Sequence, residues 1–338
     1  MVENLSGSNT IRDVARLAAV SVATVSRVIN QNTPVSPEVE IRVRAAMQEL
    51  HYFPKAAARN LSNQNTHTIG FILDDMNGGF MGPMLSGIES MAAEQGYHLL
   101  IASTGFVDGN QDFPLPLGPH NTDGLLIYAN SIPEEKIQAL HEIGFPIVLI
   151  HRTPPNEMKI PSVTIENKQA SEDIVTHLIE VHQRKRIVLL RGPQDEEDSH
   201  WREAGYRQAH LRHQLPVFEE LVCPGEFNRD VAFQSICKLI EQGIEFDAVF
   251  SGDDEAAVGV LKAFRQHGIH CPEDVSLVGF DDQNIATCLF PQLTTIYAPT
   301  LDVGRVAATE LIKILNGQEP ESLSLLQTQM IIRESCGC

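Results

Sequence analysis

The chain has 338 residues, 43% of them hydrophobic, and a formal net charge of −19 at pH 7. This length predicts two or three domains. The excess of acidic residues argues against a chain whose whole surface binds nucleic acid or anionic lipid. Residues 1–65 are different, because they hold seven basic and five acidic residues, a balance of +2 against −21 for the remainder. Any contact with nucleic acid is therefore expected in this N-terminal segment.

Residues 1–9 have no basic start and no apolar core, and no apolar run approaches membrane length. The sequence therefore predicts a cytoplasmic protein without a membrane partner. The six cysteines are scattered and no pair has zinc-finger spacing, so we expect reduced thiols, no metal and no cofactor. The terminal pair Cys336 and Cys338 is too short a motif by itself to indicate a structural site.

The segment 10–50 predicts three short helices. Thr10 begins the first as an N-cap, and Ser21 begins the second after a break of only two residues. The second has Val22, Val25 and Val28 at its apolar positions, and Ser36 caps the third. Two short helices joined by so tight a turn form a helix-turn-helix.

The other face of the second helix carries short hydroxyl and amide side chains and one guanidinium: Ala23, Thr24, Ser26, Arg27 and Asn30. An ordinary three-helix bundle needs only the apolar positions, and its solvated face usually mixes Glu and Lys, which this helix lacks. The composition favours a helix that enters a major groove and contacts phosphates and base edges.

The segment 11–61 resembles the headpiece and hinge of the LacI/GalR family of bacterial repressors. The resemblance extends over essentially the whole chain, and Val22-Ala23 is similar to the galactose-repressor branch. The matching stretches are Ile11-Arg12-Asp13-Val14-Ala15, Val20-Ser21-Val22-Ala23-Thr24-Val25-Ser26-Arg27-Val28-Ile29-Asn30, Tyr52-Phe53-Pro54 and Ala58-Arg59-Asn60-Leu61.

The resemblance implies a hinge helix that folds on operator DNA, with Leu61 as an apolar wedge between base steps. Ala19 stands where the family usually has Gly, and a positive φ there would cost about 1 kcal/mol. The DNA-binding residues so implied are Thr10, Ser21, Val22, Ala23, Thr24, Ser26, Arg27, Asn30, Tyr52, Lys55, Ala58, Arg59 and Leu61.

Beyond residue 66, short apolar runs alternate with amphipathic stretches, which predicts doubly wound parallel sheets covered by helices. The predicted strands are 68–73, 98–103, 123–128, 146–150, 162–165, 186–191, 248–251, 275–280 and 293–297. The predicted helices are 80–95, 134–143, 168–181, 201–212, 231–242, 255–266 and 301–315.

So many strands suit two sheets better than one. The family's core, which resembles periplasmic sugar-binding proteins, implies an effector-binding and dimerisation region, 66–338. Its first lobe is expected at 67–165 plus 294–321 and its second at 168–291 plus 322–333. Segment 108–120 holds three prolines, so we expect an extended crossover that packs Phe113, Leu115 and Leu117 on the sheet.

Ligands of doubly wound folds bind beyond the carboxyl ends of the strands. Asp75 and Phe80 follow the first strand, and the resemblance implies that Arg202, Phe227, Asp253 and Asp281 come from the second lobe. A bidentate guanidinium, carboxylates and an aromatic ring suit a polyol. Asp253 stands where the family often has Asn, which disfavours an acidic ligand because a carboxylate only accepts hydrogen bonds. Asp254 is expected to cap the helix that follows, and the acidic residues 196–198 are expected to be solvated surface.

No phosphate loop, nucleophile elbow or catalytic cluster is present, so an enzyme is not expected. The favoured function is a repressor of carbohydrate-utilisation genes. Its expected partners are a pseudo-palindromic operator, a sugar-like effector and a second copy of the chain, with a tetramer as the alternative to a dimer. Control by a nucleobase corepressor or a protein partner remains the alternative to a sugar.

Overall fold

The computed structural model describes residues 9–30, 33–52, 65–74, 79–105 and 114–338. The chain divides into two compact units, Met1–Thr66 and His67–Cys338. Within the described residues, no helix has the length and apolar character needed to cross a membrane.

The first unit contains the three predicted helices, α1 (Ile11–Leu17), α2 (Val22–Asn30) and α3 (Pro37–Glu49). Val22 was expected at an apolar position but is 41% exposed, because in α2 it is Val25 and Val28 that reach the core. Small β-branched and Ala side chains let such short helices approach closely. The buried core consists of Val14, Ala15, Ala18, Val25, Val28, Val43 and Ala46.

The second unit alternates strands and helices as predicted, with nearly all boundaries within two residues, and it contains three further strands that were not predicted, at 222–224, 323–326 and 329–331. Its strands are β1 (Thr68–Leu73), β2 (His98–Ser103), β3 (Gly124–Tyr128), β4 (Ile147–Ile150), β5 (Ser162–Ile165), β6 (Ile187–Arg191), β7 (Val222–Pro224), β8 (Ala248–Ser251), β9 (Ser276–Val278), β10 (Thr295–Tyr297), β11 (Leu323–Leu326) and β12 (Gln329–Ile331). Its helices are α4 (Met81–Glu94), α5 (Glu134–Glu142), α6 (Asn167–Glu180), α7 (Glu197–Arg212), α8 (Arg229–Glu241), α9 (Asp254–His267) and α10 (Thr300–Leu315).

Two parallel sheets define two lobes of this unit. The first has the order β11-β5-β4-β3-β1-β2 and the second the order β7-β6-β8-β9. The central strands of both sheets are buried, as parallel strands covered by helices must be. The carboxyl ends of β3 and β4 in the first lobe face those of β6 and β8 in the second. We call this boundary between the two lobes the seam.

The C-terminal strands differ from the expected lobe boundaries. We expected 322–333 in the second lobe, but its first part, β11, pairs with β5 at an edge of the first sheet, whereas β12 pairs with β10. We expected 294–321 in the first lobe, where α10 does pack against α4, but Thr294 and Tyr297 form bridges to Val278 and Asp281 at the end of the second sheet. Free strand edges explain both differences, because unpaired backbone groups at an edge accept any parallel segment in reach.

The proline-rich crossover agrees with the prediction where it is described. Residues 114–123 contain no helix, and Leu117 is 5% exposed. It packs with Ile72 and Leu125 on the first sheet, and Leu115 lies against the same cluster. Phe113 lies outside the described residues.

Candidate nucleic-acid interface and effector site

The exposed face of α2 is the candidate DNA-reading surface. Ser21, Val22, Ala23 and Arg27 are exposed, whereas Thr24 and Ser26 are half-buried. The Thr24 backbone N–H donates to Ser21 Oγ at 3.1 Å, so Ser21 caps α2 as predicted. Asn30 ends the helix, and its side chain lies outside the description. This face presents one guanidinium and no carboxylate.

Thr10 and Tyr52 have structural contacts within the first unit. The Thr10 backbone N–H and hydroxyl both donate to Asp13 Oδ2, at 3.0 and 2.7 Å. Tyr52 is half-buried against the helical core. Ala19, in the turn between α1 and α2, has φ of +53°, the left-handed conformation foreseen from its position. Four predicted DNA contacts lie outside the described residues: Lys55, Ala58, Arg59 and Leu61.

Arg202 is the centre of the candidate effector site. It lies on α7, is 4% exposed, and donates from Nε to Asn167 Oδ1 at 2.9 Å. Its two terminal nitrogens donate to the Gly252 carbonyl at 2.5 Å and to Asp281 Oδ1 at 3.2 Å. These contacts hold one buried guanidinium between the ends of β8 and β9.

The first lobe contributes three rings to the same seam. Phe80 precedes α4, Tyr128 ends β3 and His151 follows β4, with His151 centred 5.6 Å from Phe80 and 5.8 Å from Tyr128. His151 is 3% exposed, and its Nδ1 lies 2.7 Å from Oδ2 of Asp198 on the second lobe. Neither imidazole nitrogen makes a well-aligned hydrogen bond to a described residue. A polar ligand atom would satisfy the free Nε2.

Phe227 is placed by two glycines. Its half-buried ring occupies the space that a Cβ at Gly192 would take and lies beside Gly252, so only glycine backbone admits it there. The Arg202 guanidinium lies 5.3 Å from the ring centroid. The backbone of Phe227 has φ of +48° and that of Asp281 has +100°. Such left-handed conformations are held only where surrounding contacts enforce them, and they cluster at ligand sites.

Asp253 and Asp254 have different roles from those expected. We expected Asp254 to cap α9, but Asp253 is the cap, and its Oδ1 accepts from the Ala256 N–H at 2.9 Å. Asp254 accepts from the Thr295 hydroxyl and the Gln283 N–H and so joins three chain segments. Asp253, at 4% exposure, is still next to the seam.

Burial controls the protonation of the seam carboxyls. It raises the pKa of Asp253 to about 7, with the charge of Asp281 adding to the rise. It likewise raises the pKa of Glu196 to about 8, assisted by Asp198 and Asp74. Burial also opposes ionisation of Asp198, but His151, Arg202 and Asn167 outweigh it and lower the pKa of that carboxyl. At neutral pH the seam therefore holds both hydrogen-bond donors and acceptors.

The acidic loop 196–198 was expected to be solvated surface, and the structure corrects this. Asp198 is 7% exposed, and Glu197 accepts from the Thr153 backbone N–H at 2.5 Å. Just before it, Asn130 Nδ2 donates to the Asp195 carbonyl at 2.5 Å. Asp198 is buried and Glu196 and Glu197 are half-buried because this segment, at the start of α7, lies at the seam and bonds to the first lobe.

Sequence reasoning thus placed Arg202, Phe227, Asp253, Asp281 and Phe80 at one seam, and the structure brings them together there. Asp75 lies outside the described residues. Tyr128, His151, Asn167 and Asp198 also lie at the seam and were not predicted from the sequence. Tyr128 ends one buried apolar strand and His151 follows another, so the position at a strand's carboxyl end was the signal that could have identified them.

Comparisons with known proteins follow the same division of the chain. Residues 10–55 match the family described as bacterial regulatory proteins, lacI family, and residues 175–336 match a periplasmic binding protein-like domain. Catabolite control protein A of Priestia megaterium is 34% identical over 318 residues, which cover 93% of this chain and 94% of that protein.

Two solved structures are similar over nearly the full length. The transcriptional regulator CelR–cellobiose complex has a TM-score of 0.73 and 30% identity, covering 97% of this chain and 99% of that one. The lac repressor dimer bound to operator and the anti-inducer ONPF has a TM-score of 0.78 at 24% identity, covering 98% and 99%. At that identity, the lac repressor match concerns the fold alone.

Proposed function

Because this chain belongs to the LacI family of bacterial regulatory proteins, which bind DNA rather than catalyse reactions, we propose that it represses carbohydrate-utilisation genes under the control of a small sugar. The sugar binds between the two lobes of the second unit. The observation that carries the proposal is the buried Arg202, which is held between Asp281 and Asn167 with an aromatic ring beside it.

The chemistry of the seam favours a neutral polyhydroxyl ligand. Arg202 already pairs with the carboxyls of Asp198 and Asp281, so an anionic ligand would have to compete with them for its positive charge. Sugar hydroxyls both donate and accept, which matches a mixture of protonated and ionised carboxyls. The ring of Phe227 is available to cover an apolar sugar face. The similar CelR structure is a complex with a sugar, cellobiose.

On the DNA side, the exposed Val22, Ala23 and Arg27 read base edges, and the hinge wedge Leu61 kinks the duplex. The first unit carries little net positive charge, so one copy binds DNA weakly and two copies on a pseudo-palindromic operator supply specificity. The protein therefore acts as a homodimer, with a tetramer as the alternative. Because it binds operator DNA, the protein acts in the cytoplasm.

Effector binding couples to DNA binding through the two lobes. A ligand that bridges His151 and Arg202 favours one arrangement of the lobes, and that arrangement decides whether the hinge helices form. The coupling free energy expected for such a system is about 1 to 3 kcal/mol.

A thermal-melt screen of the full chain tests the proposal. The panel contains monosaccharides, disaccharides, polyols, nucleosides and nucleobases. A ligand at a hundred times its dissociation constant adds about 2.7 kcal/mol to the free energy of unfolding, which shifts the melting temperature measurably. We expect a sugar to stabilise the protein and the shift to vanish in Arg202→Ala. Stabilisation by a nucleobase alone would replace the sugar with a corepressor, and silence across the panel would favour a protein partner.

A further inference from the structure

The C-terminal Cys336-Gly337-Cys338 lies beside the end of α6. There, four side chains with metal-binding atoms converge: His177 and His182 from α6 and the residues after it, and Cys336 and Cys338 from the tail. One ligand atom of each lies within 4.8 Å of all the others. The sequence does not reveal this group, because 156 residues separate His182 from Cys338.

The distances between these atoms agree with tetrahedral coordination. Zinc bonds of about 2.0–2.1 Å to nitrogen and 2.3 Å to sulfur place neighbouring nitrogens about 3.3 Å apart, and nitrogen and sulfur about 3.5 Å apart. Here the two Nε2 atoms are 3.2 Å apart. Cys338 Sγ lies 3.6 Å from Nε2 of His177 and 3.4 Å from Nε2 of His182.

The backbone of the tail is built to present the two thiols. The Ser276 hydroxyl donates to the Cys336 carbonyl at 2.7 Å, and the Thr294 hydroxyl donates to Cys336 Sγ at 3.2 Å. Cys336 is fully buried, whereas Cys338 is exposed. Between them Gly337 has φ of +107°, a conformation that other residues rarely adopt, and it lies against the His182 ring. The turn at Gly337 brings both sulfurs to the same side of the tail.

We propose that His177, His182, Cys336 and Cys338 bind one Zn²⁺ as a structural site that fastens the C-terminal tail to α6. Two thiolates and two neutral imidazoles balance the charge of the ion, and this ligand set with tetrahedral spacing is typical of zinc. Four protein ligands leave no open position, so the site is structural. The proposal differs from the expectation of no metal, which rested on spacing along the chain.

Cobalt titration of the full-length protein tests the site. The protein is reduced, stripped with a chelator and titrated with Co²⁺, whose tetrahedral thiolate complexes absorb characteristically in the visible and near ultraviolet. We expect the bands to saturate at one equivalent per chain and to disappear when one equivalent of Zn²⁺ is added. Zn²⁺ should also raise the melting temperature of the stripped protein.

Two single variants separate a metal site from adventitious binding. Cys338→Ser removes an exposed ligand, and we expect it to weaken Zn²⁺ binding by at least about 100-fold, more than the loss of an outer-shell partner. Cys288→Ser changes an exposed cysteine outside the group and should bind as the parent does. His177→Gln should behave like Cys338→Ser.

The opposite results would overturn the proposal. These are a reduced parent protein that gives no cobalt bands, or bands unchanged in both Cys338→Ser and His177→Gln. A protein that isolates with a Cys336–Cys338 disulfide and does not bind Zn²⁺ after reduction would also exclude the site and assign the pair a redox role. None of these outcomes depends on the effector or on the operator.

Discussion

Nδ1 of His151, at the end of β4, lies 2.7 Å from Oδ2 of Asp198, on α7 of the opposite lobe. Asp198 in turn lies 3.9 Å from the Arg202 guanidinium. The imidazole therefore links the aromatic group of the first lobe to the charged group of the second. Any ligand in the seam that contacts both His151 and Arg202 must respond to how these two lobes are arranged.

His151→Phe tests this link. The new ring keeps the packing against Phe80 and Tyr128 but cannot approach a carboxylate favourably. We expect the effector affinity to fall about tenfold or more, because the ligand loses Nε2 as a hydrogen-bond partner and a buried polar group left unsatisfied costs about 1–3 kcal/mol. Isothermal calorimetry with the identified effector measures the loss. His141→Phe, at an exposed position on α5, is the control. Equal affinities in the two variants would show that His151 does not contact the effector.

Arg202→Ala should abolish the effector response while operator binding is retained. The change leaves Asp281 and Asp198 buried without their cation, so the free energy of unfolding should also fall by about 3–5 kcal/mol. Urea denaturation and operator binding with and without effector give both quantities. Arg212→Ala, on the same helix, removes an exposed guanidinium from its pair with the buried Glu172 and should cost less than Arg202→Ala, because only one end of that pair is buried. A normal effector response in Arg202→Ala would move the site elsewhere.

Asp253→Asn should flatten the pH dependence of stability. The folded protein keeps a proton on Asp253 up to about pH 7, whereas the unfolded chain releases it near the ordinary value of 3.8. The folded state binds more protons in between, so the free energy of unfolding falls as the pH rises through this range. An Asn side chain at position 253 can still accept the hydrogen bond from the Ala256 N–H, but it does not titrate.

Between pH 5 and pH 7, the free energy of unfolding should therefore fall less steeply with pH in Asp253→Asn than in the parent, by up to about 1.4 kcal/mol per pH unit. Urea denaturation at several pH values measures it. Asp302→Asn, at an exposed position on α10, provides the comparison. Parallel pH profiles for Asp253→Asn and the parent would mean that Asp253 is ionised throughout.

Arg27→Ala should weaken operator binding by about 1–3 kcal/mol. If the guanidinium reads a base, the loss is confined to the cognate sequence; if it binds a phosphate, all sequences weaken and the salt dependence becomes shallower. Fluorescence anisotropy at several salt concentrations distinguishes these cases. Arg44→Ala, whose guanidinium pairs with Glu40 on α3, should bind nearly as the parent does. Unchanged operator affinity in Arg27→Ala would contradict the placement of α2 at the DNA interface.

Ala19→Gly should stabilise the helix-turn-helix. Ala19 has φ of +53°, where a Cβ costs about 1 kcal/mol and glycine costs less. Amide hydrogen exchange in α1 and α2 should slow by about fivefold. Ala18→Gly is the matched control, because Ala18 has φ of −76° and is buried, so that change should accelerate exchange. Faster exchange in both variants would contradict the strain at Ala19.

Local pattern alone was sufficient to predict the helix-turn-helix and the alternating core. Ser21 caps α2, Val25 and Val28 are buried at helical spacing, and the apolar runs of β1, β4 and β8 are buried strands. Each of these features depends on residues within about ten positions of one another. The spacing of apolar residues and the presence of a capping residue are local properties, so they can be recognised before any tertiary contact is known.

The tertiary structure decided the features that join distant residues. β11 pairs with β5 at the edge of the first sheet, His151 approaches Asp198 across the seam, and Cys338 approaches His182. None of these contacts leaves a periodic mark in the sequence, because each arises where two separately folded segments happen to end. Burial is likewise a three-dimensional property. The sequence identified Asp253 as acidic, but only its enclosure beside Asp281 raises the pKa to about 7.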